Sequence, residues 1–369
     1  MPDLALPPDL VLLQETANAF AAQELRPRER AAEAARGVGA DAQRRFDEIG
    51  LARLELPESL GGAGLGALAG ALVREELGAG DAGAAIALDT LGPALYALRE
   101  LGGEAALRDF ALPLLETAGA RALLVFDATP RIHTEGRAAH GELPWVPSDR
   151  ADLLVVLERE RAYVLRDGMV CTPVRGAGLR AAGASSLRIE GSPVLAEWVS
   201  TPGARRALAF ARLHAAGLLV GVMRQAAEFS RGYARERVAF GRPIAHHQAL
   251  AFLIADMAAA VDAARLLVWD AAWRLDAGLA ADEACASAFV ECAEASMFVA
   301  PNALQILGGH GFMQDYPVEK YLRDSRALGL VLGGADAARD DAGRDLLAVS
   351  GAVSLGGDDP HGEPRAEAN

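Results

Sequence analysis

The chain has 369 residues, of which 51% are hydrophobic and only 5% aromatic, because alanine and leucine predominate. This length allows two or three domains, and the composition favours helix. Asp and Glu number 50 against 36 Lys and Arg, which gives a net charge of −14. That balance excludes nucleic acid as an expected partner, because binding phosphate requires a basic surface.

No feature of the sequence predicts export or a membrane. The segment Met1–Asp9 has no basic region followed by an apolar one, and no apolar run reaches about 18 residues. The three cysteines, Cys171, Cys285 and Cys292, are odd in number and widely spaced, which is typical of reduced thiols. We therefore expect a cytoplasmic protein.

The predicted secondary structure changes twice along the chain, from helix to strand and back to helix. Residues 8–120 follow a helical period that Pro57 and the glycines at 61–64 interrupt. Short β-prone runs follow at 123–126, 153–156, 163–165 and 187–189. Long helical stretches return at 204–239, 246–278, 282–304 and 316–332.

This order predicts an α+β protein. The expected domains are a helical one at 1–120, a β domain at 121–203 and a helical one at 204–351. Residues 352–369 are rich in Gly, Asp, Pro and Glu, so we expect a disordered tail.

Common cofactor and metal motifs are missing from the sequence. The relaxed glycine pattern Gly64–Ala69 precedes no β-rich half-domain, so we interpret it as a structural turn. His246 and His247 are adjacent and cannot share one metal on a regular helix. His133 and His140 have no cysteine or acidic cluster at ligand spacing. We predict no metal site.

Four blocks, however, resemble the FAD-dependent acyl-CoA dehydrogenases. The strongest is residues 305–326, QILGGHGFMQDYPVEKYLRDSR, and the second is residues 236–248, ERVAFGRPIAHHQ. Residues 47–65 and 178–194 match further family blocks in the right order. The resemblance implies an N-terminal helical domain, a barrel-like middle β domain, here shortened, and a C-terminal four-helix bundle.

The resemblance also implies half of an FAD site. Family members use residues at these positions to contact the ADP part of FAD, and the arginine and phenylalanine contact FAD bound by a neighbouring subunit. The matching residues, called the clamp residues below, are Arg237, Phe240, Gln248, Gln305, Gly308 and Gly309. The role of Gln248 is the least defined of the six.

The flavin-ring half of the family site is not preserved. In the family, a conserved loop beside the flavin ring should follow residues 123–126, but the sequence from Asp127 onward has almost none of its residues. Trp145 matches a Trp-Ile-Thr motif, yet Pro147 replaces the threonine that hydrogen-bonds the flavin. Proline offers neither a hydroxyl nor an N–H there.

The family's catalytic base is absent as well. Its glutamate aligns with Leu332, and the alternative position on an earlier helix aligns with Ala211. We therefore predict no catalytic residue in this chain. Arg212 matches a family arginine near the substrate, and Asp336 and Asp340 follow Leu332 as more distant carboxylates.

Three hypotheses follow from this mixture of kept and lost residues. The first is a non-catalytic subunit that lends its clamp residues to the FAD site of a homologous catalytic partner in a hetero-oligomer. The second is a divergent, self-sufficient acyl-CoA dehydrogenase, active as a homo-oligomer, that uses Asp336 or another carboxylate. The third is a flavin-free pseudoenzyme that binds a partner protein. The expected substrate is an acyl thioester on coenzyme A or a carrier.

Overall fold

The computed structural model describes residues 5–127 and 131–348. The N-terminal part is helical. Its longer helices are α1 (Pro8–Phe20), α2 (Glu29–Ala35), α3 (Ala40–Glu48) and α4 (Ala67–Leu88). Residues 94–115 form α5 (Ala94–Ala97), α6 (Gly103–Ala106) and α7 (Leu112–Leu115), which π-helical turns join. The predicted break between helices falls between α3 and α4, as the glycines at 61–64 indicated.

Seven strands form the middle of the chain. They are β1 (Ala122–Phe126), β2 (Ile132–Glu135), β3 (Ala138–Val146), β4 (Leu153–Leu157), β5 (Arg161–Leu165), β6 (Met169–Pro173) and β7 (Ser185–Val199). The sheet order is β1-β4-β5-β7-β3-β2, and β6 also pairs with β7. The long β7 pairs with β3 and β6 through its first part and with β5 through its last.

The C-terminal part is again helical. It comprises α8 (Thr201–Glu236), a hairpin of β8 (Val238–Ala239) and β9 (Arg242–Pro243), then α9 (Gln248–Asp276), α10 (Asp282–Leu307), α11 (Val318–Leu328) and α12 (Gly334–Ala348). This arrangement confirms the α+β order of helical, sheet and helical parts. The predicted tail at 352–369 lies outside the described residues.

Helix α8 is the centre of the molecule. Ser200 caps its first turn by accepting a hydrogen bond from the Gly203 N–H. It packs against α4 at a distance that only glycine permits, since a side chain on Gly221 would begin 2.1 Å from the Glu75 carbonyl oxygen. Among described helices, α8 alone is long and apolar enough to cross a membrane, but 94% of that apolar window is buried within the protein. Its apolar surface therefore belongs to the core.

A buried ion cluster joins all three parts of the chain. Lys320 on α11 lies 2.8 Å from Asp81 on α4 and 2.5 Å from Asp324, and its side chain is 1% exposed. Asp324 also accepts a hydrogen bond from the backbone N–H of Leu179, just before β7. Burial alone would lower the pKa of Lys320, but Asp324 and Asp81 outweigh it and raise the pKa above its ordinary value. The lysine therefore stays charged.

Replacing this lysine should destabilise the whole chain. Lys320→Met leaves two buried carboxylates without a cation, which costs about 3–5 kcal/mol of unfolding free energy. The matched control is Arg339→Met, because Arg339 is half exposed and pairs with the 99% exposed Asp336; surface pairs contribute about 0–1 kcal/mol. Urea denaturation at pH 7 measures both variants. Equal losses would show that the cluster does not hold the domains together.

Candidate functional site

The main cavity, of about 390 Å³, lies between the β domain and the C-terminal helices. Its wall is formed by the end of α4 with the turn after it, strand β1, the end of β3, one face of α8 and the turn after α11. Most of its surface is aliphatic, and its size suits a ligand of cofactor or drug size. This cavity is therefore the candidate ligand-binding site of the chain.

Leu332 and Ala211 both line the main cavity. The two positions that the resemblance aligns with a family base thus lie in the wall of one cavity. Leu332 has φ 56° and ψ 34°, a left-handed conformation that is unfavourable for leucine. The turn continues through Gly333 and Gly334, both also at positive φ. The backbone of this turn therefore has a strained, left-handed conformation at Leu332, and the leucine side chain cannot accept a proton.

The end of β3 supplies the opposite wall. Trp145 and Pro147, at the positions that the resemblance aligns with a flavin-contacting motif, both line the main cavity. Because Pro147 has no N–H, the wall at that residue offers no donor to a ring nitrogen or oxygen. Residues 128–130 of the neighbouring divergent loop lie outside the described residues.

Several polar side chains also line the main cavity. Asp89 accepts a hydrogen bond of 2.8 Å from the Gly92 N–H, and burial raises its pKa. Asp127 is exposed at the edge. His214 lies one turn after Ala211 on α8 and is 6% exposed. The sequence alone indicates Asp127 only as the start of a divergent loop, and no motif in it singles out Asp89 or His214.

Arg212 faces away from the main cavity. Its guanidinium donates to Asp341 on α12 at 2.6 Å, and its side chain is 3% exposed. Arg159 holds the same carboxylate, and both guanidinium groups lie within 6 Å of the Phe126 ring. Burial alone would raise the pKa of Asp341, but hydrogen bonds from Arg159 and Arg212 hold it below its ordinary value. The substrate role predicted for Arg212 stays a prediction.

The two carboxylates considered as substitute bases are on the surface. The side chain of Asp336 is 99% exposed and pairs with Arg339, and Asp340 is also exposed. Neither is part of the wall of the main cavity. Both lie on α12, which the sequence analysis had not predicted as a separate helix.

Three clamp residues surround the β8–β9 hairpin. Arg237 ends α8 and is exposed, with no side-chain partner among the described residues. Phe240 is at the hairpin tip, 96% exposed and at φ 54°, beside Gly241 at φ 79°. Gln248 begins α9 and is also exposed. Within the chain, the Phe240 ring makes an edge contact with His247, with the ring centroids 6.0 Å apart.

The other three clamp residues lie at the end of α10. Gln305, Gly308 and Gly309 are exposed, and no atom lies within 4 Å of where a side chain on either glycine would begin. The adjacent His310 is hydrogen-bonded through Nδ1 to the Tyr233 hydroxyl at 2.7 Å, and Tyr233 precedes Arg237 by one helical turn. The Tyr233–His310 contact thus ties the end of α10 to the end of α8. No clamp residue lines the main cavity.

Comparison with known proteins matches two family models. "Acyl-CoA dehydrogenase, N-terminal domain" matches residues 7–117, and "Acyl-CoA dehydrogenase, C-terminal domain" matches residues 202–347. The two matches lie on either side of the strands that form the middle of the chain.

Individual relatives cover nearly the whole chain. A cyclohex-1-ene-1-carbonyl-CoA dehydrogenase of Geobacter metallireducens is 30% identical over 82% of this chain and 88% of its own length. The human mitochondrial short-chain specific acyl-CoA dehydrogenase is 27% identical over 90% of this chain and 89% of its own. Among solved structures, PigA with FAD and proline has a TM-score of 0.83 at 19% identity, covering 94% of this chain and 99% of its own.

The Asp341 ion pairs should hold α12 in place. Asp341→Asn leaves the buried Arg212 without a counter-charge, so we expect a loss of roughly 3 kcal/mol of unfolding free energy at pH 7. Since the pKa of Asp341 is depressed in the folded chain, its contribution is lost as the pH falls through that pKa, and the difference from wild type should narrow. Urea denaturation at several pH values measures this. Asp336→Asn is the exposed control, and an equal effect there would contradict the assignment.

Proposed function

The chain belongs to the acyl-CoA dehydrogenase family, and from that premise we propose that it is the subunit of a mixed oligomer that completes the FAD site of a catalytic partner. The partner, a homologue, owns the base and the flavin-ring pocket. This chain contributes the clamp residues. The substrate of the assembly is an acyl thioester, carried by coenzyme A or a carrier protein. A cytoplasmic location stays a prediction.

One observation carries this proposal: the clamp residues are exposed and separate from the chain's own main cavity. Arg237 can donate two parallel hydrogen bonds to a pyrophosphate, and Phe240 can pack on a ribose or adenine. The open space beside Gly308 and Gly309 lets a phosphate approach the backbone closely. Since these groups point outward, the FAD that they fit is one held mainly by another chain.

The main cavity supports the same division. Removal of a proton next to a thioester carbonyl requires a base within hydrogen-bond reach. Leu332 and Ala211, which the resemblance aligns with the two family positions for that base, line the cavity and can accept no proton. FAD, where bound, supplies the acceptor for the hydride that leaves the neighbouring carbon. Here Pro147 removes a donor toward its ring. Such a cavity is suited to holding a ligand rather than to oxidising it.

A second candidate function has a specific observation in its favour. Asp89 and Asp127 line the main cavity. With a flavin ring bound in that cavity, either carboxylate could accept the proton next to the thioester carbonyl. The pKa of Asp89 is raised by burial, as is common for catalytic carboxyls. Its hydrogen bond to Gly92, however, fixes it in the turn after α4. We therefore rank self-sufficient dehydrogenation second.

Removing the clamp arginine should weaken FAD binding in the complex. Loss of a charge-assisted hydrogen bond costs roughly 1.5–3 kcal/mol, so Arg237→Ala should lower FAD affinity by about one to two powers of ten. Lysine should restore only part, because it lacks the planar two-pronged geometry. The measurement is the FAD-to-protein ratio after dialysis of the tagged chain co-purified with its partner.

Arg242 is the matched control. It is exposed on the same hairpin and contacts His247 Nδ1 at 3.3 Å, so its alanine variant should keep full flavin. If Arg242→Ala loses flavin while Arg237→Ala keeps it, the assignment of the clamp is wrong. If neither variant changes the ratio, the motif is structural and a flavin-free binding protein becomes the better account.

A further inference from the structure

His214 places a buried imidazole in the otherwise mainly aliphatic wall of the main cavity. It shares a face of α8 with Ala211, Ala215 and Leu218, which line the same space. His214 also lines a smaller cavity of about 40 Å³, together with Glu55 and Arg74. No step of the proposed function uses this histidine, so its cost of burial calls for another explanation.

The neighbours of His214 fix its tautomer. The Tyr96 hydroxyl donates to Glu55 Oε2 at 2.9 Å, and Arg74 pairs with the same carboxylate. The hydroxyl proton is therefore used, and Tyr96 can only accept from His214 Nδ1, which lies 3.5 Å away. This contact favours the tautomer with the proton on Nδ1 and a lone pair on Nε2.

The ring is also neutral. Burial, together with the positive charge of Arg74, lowers the pKa of His214 well below its ordinary value. Nε2 has no hydrogen-bond partner among the described residues, and it is not among the polar atoms that protein atoms enclose completely. Nε2 is therefore an acceptor without a protein partner on a residue that lines the main cavity.

Most other polar side chains of the wall are engaged or peripheral. Asp89 accepts a hydrogen bond from the Gly92 N–H at 2.8 Å, whereas the indole N–H of Trp145 has no partner among the described residues. The Ser148 hydroxyl donates to the Arg150 carbonyl at 2.7 Å, and Arg121 donates to the Ile86 carbonyl at 3.3 Å. Asp127 and Arg131 are exposed at the edge. In the interior, an apolar ligand without a donor would displace water and leave Nε2 unpaired, which is unfavourable.

We propose that the main cavity binds an apolar ligand that carries one hydroxyl group, and that this hydroxyl donates its hydrogen to Nε2 of His214. The ligand class is a ring or chain with a single hydroxyl along its hydrocarbon part. Tyr96 and Glu55 act as positioning residues, because they hold the tautomer that makes Nε2 an acceptor. The inference goes beyond the proposed function, since it concerns this chain's own cavity and needs no FAD.

Two probes of nearly equal shape test the proposal. 2-Naphthol can donate a hydrogen bond, whereas 2-methoxynaphthalene can only accept one. Isothermal titration calorimetry on the full-length chain should find 2-naphthol bound about tenfold to a hundredfold more tightly, the ratio expected when an acceptor is left unpaired. Neither probe contains a nucleotide, so the result is independent of whether FAD binding succeeds or fails.

Variants assign the preference to the imidazole. His214→Phe should bind both probes alike, while His214→Gln, which keeps an acceptor oxygen, should retain part of the preference. His140→Phe, at a histidine outside the main cavity, should leave the preference unchanged. Circular dichroism confirms that each variant is folded. Equal binding of the probes by wild type, or a preference that survives in His214→Phe, would overturn the proposal and place Nε2 toward the smaller cavity.

Discussion

The contact of Lys320 with Asp81 and Asp324 is the interaction on which the rest of this structure depends. It fixes α11 against the kink in α4, where Asp81 has non-helical dihedrals, and Asp324 also holds the backbone before β7. A few residues after α11 the chain turns at Leu332 into the main cavity. The helical and β parts of the chain therefore pack in the arrangement that creates that cavity. The buried charges make this arrangement specific, because any other packing would leave them buried without a partner.

The clamp residues lie in a different part of this fold from the residues that the resemblance aligns with the flavin-ring and base positions. The clamp residues, which we propose contact the ADP part of FAD, are exposed around the ends of α8 and α10, and a hydrogen bond between Tyr233 and His310 connects these ends. Pro147, Leu332 and Ala211, which the resemblance aligns with the flavin-ring and base positions of the family, line the main cavity, and Leu332 has a left-handed backbone conformation. A site that is divided between chains links cofactor binding to assembly, because each then stabilises the other.

The sequence predicted the elements with strong periodicity and missed those that depend on neighbours. The long C-terminal helices and four of the strands lie where the apolar pattern placed them. Strands β2, β3 and β6 were missed because Gly141, Pro144 and exposed polar residues obscure the alternation, and pairing with β7 stabilises them instead. Helix α12 is held by ion pairs from Asp341 that no local pattern reveals. His214 was missed for a similar reason, since only the fold brings it to Tyr96 and the main cavity.

The flavin content of the purified chain tests the central claim most directly. Absorbance near the flavin bands should be weak or absent when the chain is purified alone, and should appear when it is purified with its catalytic partner. The account predicts this because the clamp residues reach outward while the chain's own cavity lacks the expected ring contact at Pro147. A homo-oligomer that purifies with about one FAD per chain would contradict it.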